Sequence, residues 1–337
     1  MGERALSLVQ YGLENPVAHG VAVPTTRIAL KVVEPLAPDR VPSFPEEDFG
    51  ARAKSLRSWI GQNMVSDTLT FEHAYYEMLP LMFNCGLQGA IVSIANGAAW
   101  DWTYTPLLRG INAPDSFTLQ KADDVAGVNY ETTYAMFERI NIKGTINQGA
   151  EASPVTVTGD FFAREWKVDT LTVGQEPITT WPLNAKLTTL HIDALWANLG
   201  TTPMDATLRA FDIDIMTGVH PKMLGSALKT FDIDAEGIIH VTSAFTFEGN
   251  LLAVTEYGHY LTQTDRAYRL QINNPASPVA SLLRIDCFGR WREVIPFADE
   301  DRGNNLFTLV HESILDPTIF ATPDMLDVFM TISTQVV

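Results

Sequence analysis

The side chains of this 337-residue chain with the clearest chemical spacing are two acidic pairs, Asp212 with Asp214 and Asp232 with Asp234, each flanking an isoleucine. Residues i and i+2 share one face of a strand, so each pair would set two carboxylates about 7 Å apart. That is the beginning of a Ca²⁺ or Mg²⁺ site, or of an acid/base pair for glycosidic chemistry. The sequence puts no further oxygen ligands beside them, and the intervening isoleucine fits an apolar inner face beneath a wet outer one. The pairs are therefore read as solvated carboxylates. His19, His73, His191, His220, His240, His259 and His311 are scattered through the chain, with His191 and His240 on the polar parity of alternating segments. Cys85 and Cys287 lie in apolar neighbourhoods and read as buried, reduced thiols. G-x-S-x-G, G-x-x-x-x-G-K-[ST], H-E-x-x-H and C-x-x-C are all absent from the sequence. The expectation is no catalytic residue, no cofactor and no metal.

Aromatic spacing offers a different chemistry. Trp100, Trp102 and Tyr104 fall at i, i+2 and i+4, lining one face of a strand where they would stack on a sugar or a base. The favoured reading is that they fill a core or a contact between subunits.

The elements that must position these residues are mostly strands. Period-two alternation recurs at 27–33, 68–72, 100–105, 117–119, 138–146, 155–163, 187–193, 211–217, 231–234, 239–247, 268–272, 282–288, 306–312 and 326–332, separated by Gly, Pro, Asn and Asp. This predicts a mainly β fold, an antiparallel sandwich or barrel. One short packed helix is predicted over 79–87, with Pro80 at its first turn. Pro35, Pro38, Pro42 and Pro45, followed by Glu46, Glu47, Asp48 and Phe49, predict a long extended loop.

An internal repeat orders the rest. Residues 116–146 match 189–219 without a gap, an offset of 73, so that Arg139, Ile140, Asn141 and Ile142 fall on Asp212, Ile213, Asp214 and Ile215. Val155, Val157, Gly159, Phe161 and Ala163 match Ile239, Val241, Ser243, Phe245 and Phe247 at an offset of 84, which places an 11-residue insertion in the second copy around 225–237. The expected organisation is two β units, 1–183 and 184–337, with strands exchanged between them.

Lys and Arg number 23 against 40 Asp and Glu, a net charge of −17, which opposes a sequence reader of DNA and suits a surface that DNA must pass without sticking. No apolar run approaches the ~20 residues of a membrane span. The first residues do not read as a secretory leader.

Several ordered segments resemble the tail tube proteins of bacteriophages with long, non-contractile tails. They are the small-residue run at 20–26, the acidic turn of Glu46, Glu47, Asp48, Phe49 and Gly50, and Thr70, Phe71 and Glu72 followed by Met78, Leu79, Pro80 and Leu81 and then Cys85, Gly86 and Leu87. Strands at 100–106, 116–119 and 155–165 follow, and then 282–291, 304–312 and 316–332, so the resemblance spans nearly the whole chain. It implies a structural subunit of a virion tail, assembled in the host cytoplasm. Two tail-tube-type units would join a ring, three chains with pseudo-sixfold symmetry or else six chains. Rings would stack head-to-tail into a hollow tube for the genome, beside a tape measure, a tail terminator and a tail tip. The 35–49 loop is expected to reach the neighbouring ring. Other readings are a carbohydrate-binding or hydrolytic β-sandwich of a tail tip or baseplate, and a head-decoration or connector protein.

Overall fold

The computed structural model describes residues 8–30, 32–33, 42–44, 46, 58–60, 64–122, 129–146, 152–204, 207–224, 230–275, 281–301, 304–315 and 325–333. The alternating segments become strands, and the fold is mainly β with antiparallel pairing. In the first half these are β1 Leu8–Leu13, β2 Arg27–Ala29, β3 Val32–Val33, β4 Pro42–Ser43, β5 Trp59–Ile60, β6 Val65–Phe71, β7 Ile94–Asn96, β8 Ala99–Tyr104, β9 Phe117–Ala122, β10 Tyr130–Thr145, β11 Val155–Ala163 and β12 Lys167–Val168. The second half adds β13 Thr188–Asp193, β14 Leu208–Met216, β15 Val219–Lys222, β16 Ile233–Glu236, β17 His240–Glu248, β18 Arg266–Asn274, β19 Ser281–Asp301, β20 Asn304–Ser313 and β21 Leu326–Ile332.

Hydrogen bonding links the strands into one barrel-like network. Its spine runs β13, β18, β19, β20, β17, β14, β10, β11, β6, β3. The first half of β10 also carries β9, β1 and β2, and the first half of β19 carries β21, β8 and β7. Two small ribbons, β4 with β5 and β15 with β16, stand apart. One buried apolar cluster extends from Val9 to Ile332, so both halves of the chain share a core. Strands also cross the halves: β10 pairs with β14, and β8 pairs with β21.

The repeat has a structural counterpart in these ladders. Ile140 lies opposite Ile215 and Ile142 opposite Ile213, while the offset of 73 carries Ile140 onto Ile213 and Ile142 onto Ile215. Swapping the two strands returns the same pairs, as it does in any antiparallel ladder, which has a local two-fold axis. The flanking ladders agree: Ile140 faces Gly159 and Ile142 faces Val157 on one side, Ile213 faces Ser243 and Ile215 faces Val241 on the other. Inward side chains of β10, β14, β11 and β17 are buried, and their neighbours point to solvent, as period-two alternation requires.

The helix expected at 79–87 is shorter: a 3-10 turn at Tyr76–Met78 leads into α1, Leu79–Asn84, all of it buried. A second helix, α2 at Leu251–Leu261, was not foreseen. Only Ala253 and Glu256 on it are fully buried, so its sequence lacks the apolar inward stripe that marks a surface helix. The Asn250 side chain accepts a hydrogen bond from the Ala253 N–H at 3.1 Å and caps its start. The strand expected at 231–234 is displaced to β16, because Phe231 leaves the ribbon to pack on Tyr134 and Phe162.

Gly144 sits on the inner side of β10 opposite Phe211, where a Cβ would run into the Phe211 ring and close on Ala185 at 3.0 Å. Gly144→Ala is expected to destabilise the fold by about 1–3 kcal/mol through overpacking, read from the midpoint of urea denaturation. An unchanged midpoint would show that the seam relaxes without strain.

Candidate functional site

The second-half acidic pair takes its partners from the first half. Asp214 receives Arg139 Nε at 2.6 Å and Nη2 at 3.0 Å, a bidentate pair. Asp212 receives Asn141 Nδ2 at 2.6 Å and stands 3.4 Å from Lys143 Nζ. Arg139 also reaches Asp160 of β11 at 3.5 Å, and Asp160 accepts the Thr68 hydroxyl at 2.6 Å. The carboxylates that looked like metal ligands are thus bound to cations and amides of the neighbouring strand. Asp232 and Asp234 are separated from them: Asp232 accepts from the Leu224 N–H at 2.7 Å and Asp234 from the Tyr134 hydroxyl at 3.0 Å. Among the described residues, no three His, Cys, Asp or Glu side chains gather as a metal site would require.

These residues belong to one broad outward face. Thr70, Thr158, Asn141, Asp214, Thr242 and Glu312 stand opposite one another in a row across β6, β11, β10, β14, β17 and β20. A neighbouring row runs Lys143, Asp212, Ala244 and Val310, and another Thr145, Ala210, Thr246 and Thr308. The face is made of short hydroxyl side chains around a centre of paired charges.

The aromatic stripe does other work. Trp102 and Tyr104 are fully buried within the single chain, and Trp100 packs at the edge of the same core. The Tyr104 hydroxyl donates to Asn84 Oδ1 at 2.5 Å, fixing α1 to β8. Neither a sugar platform nor a subunit contact is available to these two rings. Of the loop residues singled out by sequence, Pro42 lies in β4 and Glu46 is exposed, whereas Pro35, Pro38, Pro45, Glu47, Asp48 and Phe49 lie outside the described residues.

Several buried polar groups escaped the sequence reading. Glu14 accepts from Gly20 N at 2.5 Å, Ser116 Oγ at 2.5 Å, Thr118 Oγ1 at 3.1 Å and Tyr134 N at 2.8 Å. Tyr134 has φ +57°, an uncommon conformation for a bulky residue, and the Glu14 carboxylate holds it there. Beneath α2, Glu256 binds Arg266 through 3.0 and 2.5 Å contacts and accepts Trp291 Nε1 at 2.9 Å, while His311 Nε2 meets the Arg266 carbonyl at 3.0 Å. None of these carries a periodic signal, because each is a polar residue on the inward parity of its segment.

Two buried groups tie stability to pH in opposite senses. Glu77 is buried and accepts the Trp181 N–H at 3.0 Å; burial, offset only by backbone N–H groups, pushes its carboxyl up to about 7. Burial pushes His311 down to about 4, with the Arg266 carbonyl opposing. A raised carboxyl favours the fold below its unfolded value near 4.5, and that stability is lost as pH rises through about 7. A depressed imidazole favours the fold above 6.5 and loses that stability as pH falls through about 4. Glu77→Gln is therefore expected to raise stability by about 2–3 kcal/mol at pH 8 and to leave it unchanged near pH 4, measured by denaturant titration at the two values. An equal change at both would separate the effect from ionisation.

Comparison with known protein families and with curated proteins returned no match to this chain.

Proposed function

We propose that the chain is a ring-forming structural subunit whose rings stack into a hollow virion tail tube through which DNA passes, the role that the sequence resemblance implies. The observation that carries this reading is the wide polar face of β6, β11, β10, β14, β17 and β20. A wall that conducts DNA must be wettable and must not hold phosphates, because each cation that binds one releases counterions and adds affinity. Here Arg139 and Lys143, the cations at the centre of the face, are engaged by Asp214, Asp160 and Asp212. Threonines cover much of the remainder. The net charge of −17 adds a repulsive field.

The repeat read in the sequence would give two similar units per chain, in which case three chains would make a ring of pseudo-sixfold symmetry, with a ring of six chains as the alternative. The antiparallel β10–β14 pair does not itself supply that symmetry, because a two-fold reverses strand direction. In this reading the tube meets a tape measure, a terminator and a tip, the 35–49 loop reaches the next ring, and the chain performs no catalysis. No helix among the described residues is long and apolar enough to cross a membrane.

A second reading, hydrolytic, has one observation in its favour. Glu138, Arg139, Asp160, His220 and His240 line a concavity of about 520 Å³ beside Met216 and Ile238. Burial, and then the Asp160 charge, raise the Glu138 carboxyl while His220 opposes, the kind of environment that a general acid uses. Perturbation of the His220 and His240 resonances by bacterial surface glycans would favour it.

Negative-stain electron microscopy at rising protein concentration tests the tube: hollow filaments of stacked rings are expected, and closed rings that never stack would point to a connector. On the bore wall, Asp212→Asn with Asp214→Asn should release Lys143, leave Arg139 only its exposed 3.5 Å contact with Asp160, and so create DNA binding where the wild type has none. Its affinity is expected to fall with salt with a log–log slope of about −2. A double variant that still ignores DNA would contradict the assigned role of the paired charges.

A further inference from the structure

The helix α2 is built inside out. Its one carboxylate, Glu256, points inward to Arg266 and Trp291, while Leu251, Val254 and Leu261 are 80%, 52% and 63% exposed. Residues 251, 254, 258 and 261 follow the i, i+3, i+7, i+10 spacing of a single helix face. Gly258 lies in the middle with nothing within 4 Å of where its Cβ would be, which leaves a notch between Val254 and Leu261. The exposed side of α2 carries no carboxylate, lysine or arginine.

A second surface of this kind lies at β7, which among the described residues pairs with β8 alone, where Val92 just before the strand and Ile94 within it are 75% and 71% exposed. Residues 88–100 contain no charged side chain, in a chain where 19% of residues are charged.

The two surfaces sit at opposite ends of the same sheet. Ile94 pairs with Asp101, Asp101 with Thr331 and Thr331 with Leu282, so β7 is level with the start of β19. Arg266, which anchors α2, pairs with Gly289. From Leu282 to Gly289 the strand rises about 23 Å, so α2 and β7 cannot meet within one chain. A second copy offset along the strands brings them together. Copies of net charge −17 repel one another, so surfaces that carry no charge are where they approach at the least electrostatic cost.

We propose that the outward face of α2 in one copy receives the Val92 and Ile94 edge of the next, a head-to-tail contact between copies of this chain. The contact rests on the assembly reading and deepens it by naming the two surfaces that join. Heterologous contacts of this kind close into rings or extend as filaments according to the rotation between copies.

The test is sedimentation velocity on the full chain, with Val254→Asp and Ile94→Asp made separately. Both side chains are solvent-facing, so melting curves should match the wild type. Each variant is expected to need about tenfold or more higher concentration to associate than the wild type, since 1.4 kcal/mol of lost contact is a factor of ten. Mixed together, the two should form a one-to-one dimer and stop, because each retains the face that the other lacks. If either variant assembles like the wild type, the contact is wrong and the tube reading stands. If Ile94→Asp alone still dimerises, α2 pairs with itself and the proposal is overturned. A wild-type chain that stays monomeric at every concentration removes the contact and the tube reading together.

Discussion

Ile140 and Ile142 on β10 meet Ile215 and Ile213 on β14, and the rest of the molecule is arranged about that antiparallel pair. Strand alternation then leaves no freedom: if the isoleucines face the core, Arg139, Asn141 and Lys143 must face out, with Asn141 and Lys143 directly across from Asp214 and Asp212 and Arg139, opposite Met216, reaching Asp214 diagonally. A slip of β10 by one residue would bury its three polar side chains and expose its two isoleucines. Burial of each isoleucine is worth about 1.5–3 kcal/mol, so the core sets the register. The outer charges follow it, and being exposed they add little stability of their own.

The two-fold relation holds for the central strands and breaks at their ends. In the first copy, β10 runs on past a left-handed Tyr134 to join β9, held by the buried carboxylate of Glu14. In the second, the chain leaves β14 for the β15–β16 ribbon, whose Asp234 and Phe231 return to Tyr134. Arg164 lies 4.8 Å above the Tyr134 ring and 5.9 Å from Phe231, closing this small apolar cluster. Phe231 and Asp234 therefore fasten this part of the second half onto the first. Glu256 and Arg266 play the matching role for α2. Breaking a buried ion pair by removing one partner leaves an uncompensated charge, so the pair fixes where the helix sits even if its net contribution is small.

The regular part of this fold was legible in the sequence, and the reason is period-two alternation over long stretches. It located β11, β13, β17, β20 and β21 to within a residue or two, and it put Asp212 and Asp214 on the wet side. It failed where polar residues occupy inward positions or apolar ones point out. Alternation cannot show that Glu14 gathers donors from 20, 116, 118 and 134, since the partners are distant in sequence. It could not find α2, whose leucines are outside. It underestimated β10 and β19, long strands whose registers shift along their length, β10 passing from one sheet to another. The Trp100, Trp102 and Tyr104 stripe was seen as a stripe, but only packing shows that Trp102 and Tyr104 are buried within one chain.

The central claim is that the compensated polar face of β6, β11, β10, β14, β17 and β20 is the wall along which DNA passes. Helical reconstruction of assembled filaments at side-chain resolution measures this directly. The account predicts the row of Thr70, Thr158, Asn141, Asp214, Thr242 and Glu312 on the inner surface of a hollow tube, with Arg139 and Lys143 still bound to their aspartates. A reconstruction that puts this row on the outside, or buries it between subunits, would contradict it.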